Sequence, residues 1–80
     1  MDRATKTGPI EVWLRQVNLE ITCTIVHDDE STRELDADSL SMRGAQREMT
    51  GYFISQGYEP VGRWEAEGPA ETVRRFKVKK

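Results

Sequence analysis

Ile10-Glu11-Val12-Trp13-Leu14-Arg15-Gln16-Val17-Asn18-Leu19-Glu20-Ile21-Thr22-Cys23-Thr24-Ile25-Val26 is the stretch that decides how many strands the fold has. Leu19, Ile21, Cys23 and Ile25 alternate with Glu20, Thr22 and Thr24. That is the period-2 pattern of a strand with one apolar face, rich in β-branched residues. Ile10, Val12 and Leu14 alternate too, but on the even positions. The parity flips near Val17–Asn18, and an uninterrupted strand keeps its parity. Residues 10–26 would also be long for one strand. The flip predicts a hairpin turning at Gln16–Asn18. A long bulged strand is one alternative. A short helix from Glu11 to Val17, gathering Val12, Trp13 and Gln16 on one face, is another.

Working outward, residues 27–37 read as an acidic loop. Asp38 then stands where an N-cap belongs, a polar side chain ahead of a helical pattern. Met42, Ala45, Met49, Tyr52 and Phe53 form one stripe of a helix from about Ser39 to Gln56. Gly57 ends it as the residue that takes the left-handed conformation at no steric cost. Gly44 and Gly51 sit inside that helix, each costing about 1 kcal/mol relative to alanine. They predict either close packing against another backbone or a helix held by its tertiary contacts. Tyr58, Val61 and Trp64 follow, then the breaker Glu67-Gly68-Pro69-Ala70, then Thr72 to Val78. This predicts a second hairpin centred near Gly68–Pro69. The expected fold is α+β: a small antiparallel sheet of three to four strands packed on one central helix, in the order ββαββ or βαββ. Residues 1–8 read as a flexible N-terminal arm and 9–80 as a single domain.

The chain has 80 residues, enough for one domain with a small core. Cys23 is the only cysteine, so no disulfide staples the monomer. A lone cysteine with no apolar leader points to a reducing, cytoplasmic compartment. No apolar run approaches the length of a membrane helix. The net charge is −2, which gives no overall pull toward nucleic acid. Its distribution is uneven. Asp28, Asp29, Glu30, Glu34, Asp36 and Asp38 crowd around Arg33, whereas Arg74, Arg75, Lys77, Lys79 and Lys80 close the chain without an acid. These runs predict solvated segments, or a charge-complementary contact within the fold or between subunits.

Two resemblances follow from short tracts. Gly57-Tyr58-Glu59-Pro60-Val61, the hairpin after it and the ending Arg75-Phe76-Lys77 resemble a family of very short bacterial domains of unknown function. In that family a helix ends in a Gly-Trp-Glu-like turn and two strands follow, the last closing on Phe-Lys. The resemblance covers the second half of the chain, with Tyr58 where the family usually has tryptophan. It implies a small, often self-associating sheet on one helix, with no known chemistry. Leu35-Asp36-Ala37-Asp38-Ser39-Leu40 is similar to the Asp-Ser-Leu site of acyl carrier proteins. That resemblance implies a phosphopantetheine arm on Ser39 at a helix start, where exposed N–H groups favour phosphate. It also implies a helical bundle, whereas residues 19–26 and 61–78 alternate as strands.

The residues of catalysis and metal binding do not assemble into a pattern. His27, Asp28 and Glu30 lack the spacing and glycine of a calcium loop, and one Cys with one His falls short of a zinc site. Cys23 lies in the apolar register of its strand, as a small buried hydrophobe rather than a nucleophile beside His27. So small a core also leaves little room for a pocket. No catalytic residue, metal ligand or cofactor is expected. The expected function is a small non-enzymatic interaction module, acting by self-association or by binding another protein. A strand edge in the first hairpin would pair across a dimer. Trp64, Arg74, Arg75, Lys77 and Lys79 are the candidate partner or nucleic-acid contacts. The alternatives are a nucleic-acid-binding regulator using the basic last strand, and an acyl or peptidyl carrier modified at Ser39.

Overall fold

The computed structural model of the chain describes residues 8–79. Most of the N-terminal arm read over residues 1–8 thus lies outside the described residues. Gly8 does not, and it packs so closely on Asp28 that a Cβ there would lie 2.7 Å from the Asp28 carboxylate. Strands β1 (Ile10–Val17) and β2 (Glu20–Val26) form the first hairpin, turning at Asn18 and Leu19 between the paired Val17 and Glu20. Asn18 has φ of 57°, a left-handed conformation that asparagine tolerates well. The parity flip was therefore a turn. The helix over Glu11 to Val17 and the single bulged strand are both excluded.

The segment read as a loop holds a third strand, β3 (Thr32–Asp36), so the three-to-four-strand expectation is corrected to five. A tight turn feeds it. His27 N–H donates to Ser31 O, Glu30 takes φ of 72°, and Ser31 donates to the Asp29 carboxylate through its N–H and its hydroxyl. Helix α1 (Met42–Ser55) follows, then β4 (Tyr58–Gly68) and β5 (Glu71–Val78). The second hairpin turns at Pro69–Ala70 as its breaker predicts. The sheet is antiparallel throughout, in the order β3-β2-β1-β5-β4. The element order is βββαββ rather than ββαββ or βαββ.

The first hairpin consequently has no free edge. β3 covers β2, and β5 covers β1. The free edges belong to β3, which is short and charged, and to β4, which carries Pro60 and is bulged around Gly62. Both are the kinds of edge that resist pairing with another chain.

The helix starts later than expected. Its N-cap is Ser41, whose Oγ accepts the Gly44 N–H at 3.0 Å, and not Asp38. Its end is as read: Gly57 has φ of 96° and its N–H donates to Ile54 O. Neither internal glycine meets another backbone. Gly51 faces open space, and the place of a Gly44 Cβ is taken by the side chains of Ser39 and Ser41.

Ala45, Met49 and Phe53 on the helix close over Ile10, Val12, Leu14, Ile21, Cys23, Ile25, Tyr58 and Phe76 on the sheet. Phe53 and Phe76 meet at 5.3 Å between ring centroids. The helix covers one face of the sheet and lies closest to β4 and β1. Strand alternation leaves the other face without a covering element among the described residues.

Candidate interaction surface

The bare face is built from the odd-parity residues of β1 and their cross-strand neighbours. At its centre Trp13 stands opposite Val73 on β5 and Thr24 on β2. One row away lie Val26, Glu11, Arg75 and Val61, and one row the other way Thr22, Arg15 and Glu71. Arg75 Nε sits 3.6 Å from the Glu11 carboxylate, Arg15 Nε 3.8 Å from Glu71, and Lys77 Nζ 3.7 Å from Glu59. Trp13 Nε1 donates to Glu11 at 3.2 Å. An open groove of about 490 Å³ runs beside this centre, walled by Trp13, Val61, Gly62, Val73 and Arg75. A second, of about 550 Å³, lies at the strand ends between Pro9, His27 and Lys77. Surface relief therefore provides the room that the small core does not.

The five candidate contact residues do not share a face. Trp64 and Arg74 belong to the helix side. Trp64 packs on Phe76 at 6.3 Å, and its Nε1 donates to Thr50 Oγ1 at 3.0 Å. Arg74 donates to Gly62 O at 2.6 Å and to Thr50 at 3.5 Å, which ties the guanidinium to the β4 bulge. Its Nε is buried with no hydrogen-bond partner among the described residues. Arg75 and Lys77 lie on the bare face, where Glu11 and Glu59 accompany them. Lys79 follows the strand, and its N–H donates to Gly57 O. The β3 acids stay apart from the basic run, because β2 and β1 lie between β3 and β5, whereas Asp28 lines the strand-end groove with Arg75 and Lys77.

The loop ahead of the helix is held by a carboxylate. Glu48 accepts from the backbone N–H of Asp38, and from the N–H and hydroxyl of Ser39, at about 3.0 Å. These bonds, the Asp38 N–H foremost, hold its carboxyl below the usual glutamate value. Ser39 thus stands ahead of the Ser41 cap rather than at the helix start. The chain forms a sheet with one helix, not the bundle that the Asp-Ser-Leu resemblance implies. Cys23 is fully buried, and desolvation pushes its thiol up to about 12. No group of three or more His, Cys, Asp or Glu that could hold a metal occurs among the described residues. No helix among them is long and apolar enough to cross a membrane.

Trp13, Val73 and Val61 are the surface residues that the sequence reading passed over. The signal was present in Trp13: a large aromatic between Glu11 and Arg15 on the polar parity of a strand whose other parity buries Ile10, Val12 and Leu14. Compared with known proteins, the chain matches no family model, no curated protein and no solved structure.

Proposed function

We propose that the chain is a non-enzymatic interaction module that works through the bare face of its sheet, engaging another copy of itself or another protein. One observation carries this reading: Trp13 and Val73 lie side by side at the middle of an uncovered face, ringed by charged residues. An apolar centre holding an aromatic, inside a polar rim, is the anatomy of a protein-binding surface. An antiparallel sheet with one wet face needs no partner to fold, so the tryptophan is what calls for one. Nucleic acid fits this face less well. Glu11, Glu20, Glu34, Asp36, Glu59, Glu65 and Glu71 share it with Arg15, Arg75 and Lys77, and phosphate binding needs the opposite balance.

The test compares the tagged chain with its Trp13→Glu variant in quantitative co-purification, after circular dichroism shows both folded. Complexes formed by the wild type and lost with Trp13→Glu support the reading. The same complexes with both proteins, or none with either, overturn it.

A further inference from the structure

We infer that the occupant of the bare face is a second copy of this chain, packed sheet on sheet about a two-fold axis parallel to the strands and lying between β1 and β5. The inference rests on the interaction-module reading and names its partner. Its warrant is charge complementarity. Across the β1–β5 ladder, Glu11 pairs with Arg75, Trp13 with Val73, and Arg15 with Glu71. This patch is acid–base, apolar–apolar, base–acid. The axis exchanges β1 and β5 between facing copies. Glu11 of one copy then lies over Arg75 of the other, Arg15 over Glu71, and Trp13 over Val73, each twice. Every charge in the patch meets an opposite charge both beside it and above it. Outside the patch, Val26 of one copy falls over the 43%-exposed Val61 of the other, because both occupy the Glu11–Arg75 row.

A two-fold axis perpendicular to the strands also matches the patch. It would set Glu34 on Glu34 and Glu65 on Glu65, and like charges across an interface oppose association. The parallel axis instead leaves the β3 acids outside the overlap. Twisted sheets packed face to face stay within about 30° of alignment, about 10 Å apart, so the register is kept at the centre. Four overlapping strands give a footprint about 19 Å by 24 Å. That is small for a stable interface, and it sets the expected dissociation constant at about 1 to 100 µM.

The test is sedimentation equilibrium of the purified full chain up to about 1 mM, with two charge variants. Glu11→Lys with Glu71→Lys makes the patch wholly basic. Arg15→Glu with Arg75→Glu makes it wholly acidic. The wild type is expected to dimerise and each variant alone to dissociate at least about tenfold more readily. An equal mixture of the two is expected to recover the dimer, a rescue that damage to either fold would not give. Val61→Glu, outside the patch, weakens the dimer as well and serves if a charge variant fails to fold. A monomeric wild type overturns the inference while leaving the co-purification test of the module intact. Charge variants that each dimerise like the wild type place the interface elsewhere and overturn it too.

Discussion

Phe76→Ala is the substitution expected to test the core most severely. Phe76 is fully buried on β5. Its ring meets Phe53 at 5.3 Å and Trp64 at 6.3 Å, and the Arg74 guanidinium lies 6.0 Å from its centroid. Ile10 and Pro60 flank it on the neighbouring strands. Truncating a buried phenylalanine costs about 3–5 kcal/mol. Aromatic pairs contribute about 0.5–1.5 kcal/mol beyond their area, which places this site in the upper half of that range, about 4–5 kcal/mol. A domain of this length has about 4–12 kcal/mol in all. Phe76→Ala should therefore be partly or wholly unfolded in buffer. Phe76→Leu keeps most of the volume and loses the ring contacts, a cost of about 1.5 kcal/mol. Urea titration followed by far-UV circular dichroism, at a concentration where the chain is monomeric, measures both. With a slope of about 1 kcal/mol/M the leucine midpoint falls by about 1.5 M. An alanine variant that loses under about 1.5 kcal/mol would refute a core centred on this ring.

Glu48→Ala should cost about 1 kcal/mol by releasing three donors of the pre-helix loop. Since the folded-state carboxyl titrates below its ordinary value, that contribution is full above the ordinary value and fades as the pH falls through the folded one. The gap between wild type and variant should be full near neutrality and close in acid, as the pH falls through the ordinary carboxyl range and below it; a gap that persists in strong acid contradicts the clamp. Asn18→Val should lower stability by about 1–2 kcal/mol because of the left-handed backbone there, whereas Asn18→Gly stays within about 0.5 kcal/mol; equal melting temperatures for the two count against the turn. Cys23 should resist a thiol reagent at mildly alkaline pH until denaturant is added, since burial raises the thiol to about 12; rapid labelling in native buffer refutes its burial.

Where burial was one-sided, the fold was legible. β1 and β2 each put one parity into the core, so the hairpin between them showed as a parity flip. The helix stripe was legible for the same reason, and Gly57 because its left-handed backbone suits glycine. β3 was not, because it is an edge strand: Thr32, Arg33, Glu34 and Asp36 are exposed, and Leu35 alone leans on the core. Such a strand carries no hydrophobic period to read. The helix start was displaced because Asp38 and Ser41 are both good caps by type. What separates them is three-dimensional: Ser41 Oγ accepts the Gly44 N–H, while Glu48 holds the N–H groups of Asp38 and Ser39 in the loop ahead. The candidate surface was least legible of all. Trp13 and Trp64 are the same residue type on strands, and which one faces the helix depends on register across a bulge at Gly62.

The central strand has its two neighbours at very different distances along the chain. β1 finds β2 across a two-residue turn but must wait for β5, since Ile10 pairs with Phe76. During synthesis the β1–β3 meander is complete once Asp36 has emerged, and one long side of it stays unzipped until β5 is made. Closing so distant a pairing is the slow kind of step. Until it happens the nascent chain shows a templating edge to its neighbours on the polysome. The β1 amides that bond to β5 should therefore gain protection later than those that bond to β2, and pulsed hydrogen exchange during refolding would show this. The molecule is most vulnerable to its own copies before β5 exists.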